Sequence, residues 1–388
     1  MPPSSFSPIL PPMLTPAQKA TLRLARTPRI GPVTYRRLIT RYGTAEEIIE
    51  RWPHIAKNGH ILASLGDIEK ELELTGKAGG WLITIEDDAY PQVLKHLADS
   101  PLTLSGLGSV RALSTRHIGI VGTRNASLAG TQWVEDLSHT LAKTGLTITS
   151  GLARGMDGAA HKGALKAAGL TVAVLGGGAD SLYPPEHTKL REQITEGGGA
   201  IISEQPWGTP PRAELFPRRN RIIAGLSEAV VVAEASRHSG SLITAQYALE
   251  YGKEVFAVPG NPTDPRAAGP NWLLKNGATL TENAQDILDA LPAHAPAHLS
   301  SRLPGTNDRI QNPPSLFQGI PYSQLSTPNP HLETPGSQLI DLLSPQGVEL
   351  DDLIRETGQK ETALMAELTE LELMGQAQRT PDGRWQKA

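Results

Sequence analysis

From Trp81 to Leu291, short and largely apolar runs alternate with stretches in which apolar positions recur three and four residues apart. The runs at 118–121, 146–149, 172–175, 200–203, 229–233 and 255–258 have the length and character of strands buried on both faces. Segments 132–144, 156–168, 185–196, 219–226 and 242–251, lying between them, predict helices. Strict alternation over short connections requires right-handed crossovers, so the expected class is α/β, with a doubly wound, mostly parallel sheet over residues 79–291. Two earlier runs, 81–86 and 102–107, are expected to extend that sheet.

Residues 14–78 follow a helical rhythm instead. Leu22, Leu24, Ile30, Val33, Leu38, Ile39, Ile48, Ile49 and Ile55 recur at helical spacing, broken by Thr27-Pro28-Arg29-Ile30-Gly31-Pro32 and again by Tyr42-Gly43-Thr44. Thr44 is predicted to cap a helix whose first turn holds Glu46 and Glu47. A Gly-containing hairpin between two short helices, followed by Arg36, Arg37 and Arg41, resembles a SAM-like or helix-hairpin-helix (HhH) module, a type that touches nucleic-acid backbone without reading sequence. A small bundle serving as a protein interface fits the same pattern. The segment holds 11 Lys and Arg against 7 Asp and Glu, 11 − 7 = +4.

Residues 292–333, rich in Pro, Ser, Gln and Asn, predict a linker. Beyond it, predicted helices at 337–343, 350–357 and 360–374 precede a hairpin turning at Pro381-Asp382-Gly383, the order of a winged helix. Its third helix sets Lys360 against Glu361, Glu367, Glu370 and Glu372, and residues 334–388 carry 5 basic and 10 acidic side chains, 5 − 10 = −5. Such a face repels phosphates, so contact with protein or a regulatory role is expected in preference to duplex binding.

With 388 residues the chain exceeds one ordinary core. A formal net charge of −4 excludes a globally basic nucleic-acid coat, so any polyanion site must be local. The absence of cysteine removes disulfides, thiolate nucleophiles and cysteine zinc sites, which fits a reducing compartment. Residues 1–13 are expected to be a disordered tail, since they lack the basic flank and apolar centre of a signal. No uncharged apolar run reaches the about 18 residues that a membrane span requires. The expectation is a cytoplasmic protein with no membrane partner.

In a doubly wound sheet ligands lie beyond the carboxyl ends of the strands, and the loops there repeat glycine, hydroxyl and cation. They begin with Gly122-Thr123-Arg124-Asn125-Ala126-Ser127 and Ser150-Gly151-Leu152-Ala153-Arg154-Gly155-Met156-Asp157. In the second, Asp157 suits a helix N-terminus, and His161, four residues on, is expected to be structural and within reach of it. Gly176-Gly177-Gly178 reads either as a backbone nest for an anion or as a tight turn. Phe216-Pro217-Arg218-Arg219-Asn220-Arg221 crowds three guanidiniums and an amide into four residues before a buried run. Guanidinium forks match phosphate oxygens, so this basic turn is a candidate phosphate surface; the alternative is a solvated turn paired with Glu204, Glu214 or Glu228. Ser239-Gly240-Ser241 opens the next helix and offers hydroxyls and amides to a phosphate.

Absent motifs narrow the chemistry. No Gly-x-x-x-x-Gly-Lys-Ser/Thr, strict Gly-x-Gly-x-x-Gly after a strand, Gly-x-Ser-x-Gly or His-Glu-x-x-His occurs, so no catalytic residue, metal or cofactor is expected. Phosphate-binding loops without an evident nucleophile favour holding a polyanion over reacting with it. Aromatics are 4% of the chain, and only Tyr183, Trp207, Phe216 and Trp272 fall near these loops. Binding to a single strand should then be sequence-tolerant and salt-sensitive, with stacking at few positions.

Taken in order, Ile120-Val121-Gly122-Thr123-Arg124, Ser150 to Asp157 with Ala160-His161, Val174 to Gly178 with Tyr183-Pro184, Phe216 to Ser227, Ser239 to Ala245 and Phe256 to Gly260 resemble the DNA-processing protein A (DprA/Smf) family over residues 81–291. The resemblance implies an extended Rossmann-like core, flanked by a SAM/HhH-like and a winged-helix domain. It further implies a homodimer that binds single-stranded DNA during natural transformation, protects it and helps load the RecA recombinase. Carried over, Arg124, Arg154, Arg218, Arg219 and Arg221 would contact phosphates, with Asn220 beside them and Ser150, Gly151, Ser239, Gly240 and Ser241 as backbone or hydroxyl donors. Where many relatives have lysine in the second loop this chain has Arg154, which keeps charge and changes geometry. The Ser-Gly-Ser-Leu-Ile-Thr-Ala loop is also similar to that of nucleoside-monophosphate phosphoribohydrolases. Such an enzyme needs a carboxylate on the following helix, where Gln246, Tyr247 and Ala248 stand and Glu250 comes only later.

Overall fold

A computed structural model describes residues 14–28, 30–56, 61–181 and 183–291, together with 337–343, 348, 353, 357, 364, 368, 377–380 and 384–387. The expected tail at 1–13 and linker at 292–333 lie outside the described residues, as does most of the predicted helix span 350–374. The chain divides into two units, Met1–Thr327 and Pro328–Ala388.

Among the described residues the first unit begins with five helices, α1 (Pro16–Ala25), α2 (Pro32–Tyr42), α3 (Ala45–Glu50), α4 (Trp52–Ile55) and α5 (Leu65–Lys77). Thr15 and Thr44 each close a capping box, with Gln18 and Glu47 respectively, so Thr44 caps as predicted. Leu24, Tyr35, Ala45 and Ile48 form one side of this bundle's core, while Leu22, Ile68 and Leu82 form the other. The last contact reaches β1 (Trp81–Thr84), so the bundle is packed onto the sheet.

Eight more strands complete that sheet: β2 (Thr103–Gly108), β3 (His117–Val121), β4 (Thr147–Ser150), β5 (Thr171–Val174), β6 (Ala200–Ser203), β7 (Ser227–Val232), β8 (Glu254–Ala257) and β9 (Thr279–Leu280). Their order is β1-β2-β6-β5-β4-β3-β7-β8-β9. The pairings from β6 through β9 are parallel, and β1 and β2 add an antiparallel edge. The chain winds outward from β3 to β6 and then returns to β7 on the other side of β3. That reversal makes β3/β7 the topological switch point.

Between the strands run α6 (Gln92–Lys95), α7 (Leu128–Lys143), α8 (Met156–Lys166), α9 (Thr188–Glu196), α10 (Leu215–Leu226), α11 (Gly240–Glu250), α12 (Ala268–Lys275) and α13 (Ala284–Ala290). Period-two alternation assigns the strands' side chains to two layers. Val172, Val174, Val230 and Val232 meet Ile222, Ile223 and Leu226 of α10 and Leu242 of α11. Ile118, Ile120, Ala229 and Val231 meet Val134, Leu137 and Leu141 of α7 and Ala160 of α8. Each such side chain, taken fully from water, contributes about 1.5–3 kcal/mol, which holds α10 against one face of the sheet.

One prediction is corrected. The basic stretch expected as a turn before a helix at Arg219 is itself helical from Leu215. Pro217 is tolerated there because it stands in the first turn, where backbone N–H groups have no intrahelical acceptor.

In the second unit, α14 (Ser337–Leu342) and the antiparallel pair β10 (Ala377–Arg379) and β11 (Trp385–Lys387) surround a core of Leu339, Leu343, Leu353, Leu364, Leu368, Ala377 and Trp385.

Candidate functional site

The switch point is closed. Glu234, just past β7, accepts the Ser127 amide at 2.9 Å and the Ser127 hydroxyl at 2.5 Å, while its own carbonyl accepts the Thr123 amide at 2.6 Å. A Cβ on Gly122 would stand 2.6 Å from Met156 Cγ and 2.8 Å from the Glu234 carbonyl, so the loops after β3 and β7 are zipped together. Sequence reasoning had passed over Glu234.

The open space lies to one side, where a shallow cleft gathers Arg124 from the β3 loop, Gly151 and Ala153 from the β4 loop, and Leu175, Gly176, Gly177, Ser181, Tyr183 and Pro184 from the β5 loop. Pro211 and Phe216 complete it. Two cations lie near the Phe216 ring, with Arg124 Cζ 5.6 Å and Arg219 Cζ 5.8 Å from its centroid. Tyr183 meets it edge-on at 6.0 Å. Gly176 is bare against the ring, and Gly177 and Gly178 allow the chain at Pro206–Pro211 to approach within contact of their backbone. The structure adds a role that neither reading of the triple glycine had given it, close packing of the chain against all three residues.

The three arginines of α10 have separate positions. Arg218 is exposed on the same turn as Phe216. Arg219 is buried, and its Nη1 donates to the Gly151 carbonyl at 2.8 Å and to the Val174 carbonyl. Burial lowers its pKa to about 10, against the pull of Asp157, so it stays charged at neutral pH. Arg221 is buried too, forked between Glu204 at 2.5 Å and Asp99 at 3.9 Å. Burial opposes its charge, but Glu204 and Asp99 outweigh this and hold its pKa above the ordinary value. The pairing with Glu204 is the one weighed from sequence; Glu228 pairs with Arg116 instead, at 2.6 Å.

The remaining candidates divide similarly. Arg154 is exposed at the β4 loop and paired with Glu186 at 2.5 Å. Ser150 is fully buried, its hydroxyl donating to the Ile120 carbonyl at 2.6 Å, so it faces the sheet and not the cleft. Asn220 accepts from Arg219 Nε at 3.2 Å and donates to the Gly240 carbonyl at 3.1 Å. That bond ties α10 to Ser239-Gly240-Ser241, where the two serine hydroxyls bond each other at 2.6 Å and Ser239 caps α11. None of these three lines the cleft.

Asp157 is buried, which raises its pKa, and it accepts the Gly151 amide at 3.1 Å and the Ala153 amide at 3.4 Å. It shapes the β4 loop. His161 bonds Thr171 at 2.6 Å, not Asp157, and burial drops its pKa to about 3, so it is a neutral core histidine. Phe216 and Tyr183, to which the sequence assigned no binding role, both line the cleft.

A family model described as DNA recombination-mediator protein A matches residues 81–292, flanked by a DprA-like N-terminal HHH domain at 17–73 and a DprA winged helix domain at 323–383. The chain is 38% identical over 302 residues to Protein Smf of Escherichia coli (strain K12), covering 78% of this chain and 76% of that protein. It is 45% identical over 211 residues to DNA processing protein DprA of Bacillus subtilis (strain 168), covering 54% and 71% respectively. The X-ray structure of DNA processing protein A from Streptococcus pneumoniae superimposes with a TM-score of 0.61 at 31% identity, over 72% of this chain and 99% of that one. The strand-end motifs, the mostly parallel Rossmann-like sheet and the two flanking domains therefore agree: the chain belongs to the DNA recombination-mediator protein A family, the DprA/Smf proteins.

Proposed function

We propose that the cleft holds one splayed nucleotide of single-stranded DNA, its base against Phe216 and Tyr183 and its flanking phosphates on Arg124, Arg154 and Arg218. The observation that carries this reading is a half-buried aromatic ring among the strand-end loops, with the Arg124 and Arg219 guanidiniums 5.6 and 5.8 Å from its centroid. An unstacked base can lie against the half-buried Phe216 ring, whereas a base paired and stacked in a duplex cannot reach it. Arg219, Arg221, Asn220, Ser150 and the Ser239-Gly240-Ser241 turn then act behind the surface, holding Gly151 and α10 in place. Arg154 exchanges Glu186 for a phosphate at little cost, because an ion pair this exposed is screened by solvent and weak.

The described lining of the cleft has no carboxylate or imidazole to act on a nucleotide, which supports binding over hydrolysis. Incubation with nucleoside monophosphates is expected to release no free base. Membership of the family supports a role in DNA uptake, with protection of the incoming strand, RecA loading and a homodimer as the further parts of the proposal; pull-down of RecA and sedimentation of the full chain test the last two. Among the described residues no helix is long and apolar enough to cross a membrane, which is consistent with the cytoplasmic location proposed. The deciding experiment is a competition titration: a labelled thymidine oligomer should be displaced by unlabelled single strands of any sequence and poorly by blunt duplex. Equal displacement by duplex would refute the cleft as the site.

A further inference from the structure

Arg221 stands on the helix that carries Phe216 and Arg218, and the two carboxylates that pin it are themselves held by the N-terminal helices. Glu204 follows the last residue of β6, and its backbone carbonyl accepts Arg26 Nη1 at 3.3 Å. Arg26, from just past α1, also donates to Thr103 Oγ1 at 3.1 Å and forks onto Glu71 of α5, Nε to Oε2 at 2.8 Å and Nη2 to Oε1 at 2.7 Å. Glu71 is buried, and the Arg26 side chain is only 10% exposed. Asp99 follows the turn at 95–97, and Arg36 of α2 donates to the Lys95 carbonyl at 2.9 Å and to the Leu97 carbonyl. Tyr251, at the end of α11, donates to Asp99 from the far side at 2.8 Å. Leu94 and Leu97 of the same turn close on Gly225 of α10, where a Cβ would meet them at 2.7 and 2.6 Å.

We infer that Arg26 and Arg36 are positioning residues for the cleft: the N-terminal helical domain sets α10, and so Phe216 and Arg218, through Glu204 and Asp99, without touching DNA. This rests on the cleft being the single-strand site. The two arginines grip backbone carbonyls, which fixes the carboxylates' starting points while leaving their oxygens to Arg221 and, at Asp99, to Tyr251 as well. Loss of either grip lets a carboxylate retreat from Arg221, and a buried guanidinium that loses a partner pulls its helix with it.

The test uses the full chain, with salt-dependent binding of a thymidine oligomer by wild type, Arg36→Ala and Arg36→Lys. Arg36→Ala should weaken binding about threefold to tenfold. The slope of log affinity against log salt should stay that of wild type, because no phosphate contact is lost; a direct contact would lower it by about 0.7. Arg36→Lys, which keeps a donor for the carbonyls, should recover most of the loss. Amide exchange in α10 should quicken in Arg36→Ala while α7 and α8 keep their protection. If Arg36→Ala does not fold, Asp99→Asn is expected to give the same parallel shift. Unchanged affinity in a folded variant, or a reduced slope, overturns the inference; failure of wild type to bind single strands would instead overturn the reading of the cleft.

Discussion

Replacing Gly151 by alanine is the sharpest perturbation the site offers. A Cβ there would stand 2.5 Å from both Nη1 and Nη2 of Arg219 and 2.6 Å from Cζ, against 3.4 Å or more for an ordinary contact. The guanidinium must therefore move by roughly 1 Å or more, which its bonds cannot follow. Retreat of the helix is blocked, because Ile222, Ile223 and Leu226 anchor α10 in the core. The displaced group loses its bonds to the Gly151 and Val174 carbonyls. Hydrogen bonds from a charged donor are worth about 1.5–3 kcal/mol each, so two amount to about 3–6 kcal/mol, and partial relaxation leaves about 3. For a core of this size that lowers the melting midpoint by about 6–12 °C. Phe216, one turn from Arg219 and stacked on it, shifts as well, so single-strand affinity measured well below the melt should fall about tenfold. Differential scanning calorimetry and a binding titration check both numbers. A variant that melts within about 1 °C of wild type and binds normally would refute the buttress between α10 and the β4 loop.

Three further outcomes are expected. Glu186→Gln frees Arg154 from its ion pair with that carboxylate and should tighten single-strand binding about two- to fivefold, an effect that high salt erases; unchanged affinity at low salt would take Arg154 off the strand's path. Deleting residues 334–388 should leave core affinity nearly intact, since that segment is acidic, and a tenfold or larger loss by the same titration would make it a direct contact. Burial depresses His117 to about 4 and His161 to about 3, below their unfolded value of about 6.5, so below pH 6.5 the unfolded chain binds more protons than the folded one. Stability should accordingly drop by about 2 kcal/mol per histidine between pH 6.5 and 5, read from urea midpoints; a flat profile over that window would show that neither ring is held neutral.

Much of the core was legible because strands buried on both faces cannot disguise themselves among helices of mixed polarity. The runs ending at Val121, Val174 and Val232 show this. The arginine stretch was harder, since residue type announces a phosphate and only helix phase says which guanidiniums face out. Once α10 is known to start at Leu215, Phe216, Arg219 and Ile223 fall at i, i+3 and i+7 on one stripe, and Arg218 lies about 100° away from Arg219. Reading the stretch as a basic turn, with the helix beginning only at Arg219, hid that start. The join between Tyr183 and Phe216, 33 positions apart, depends on sheet order and could not be read along the chain. Ser150 misled for a related reason: a hydroxyl at the end of a strand points up to the loop or back into the sheet according to pleat, and here it bonds β3.

The central claim is that exposed guanidiniums around a single aromatic recess, and not the buried pair behind it, meet the phosphates. Its most direct measurement is the salt dependence of single-strand affinity for wild type, Arg218→Ala and Arg221→Met. Arg218→Ala should lower the log–log slope by about 0.7 with an unchanged melt, while Arg221→Met should shift the melt and the affinity at constant slope. A slope that falls for Arg221→Met and not for Arg218→Ala would contradict the account.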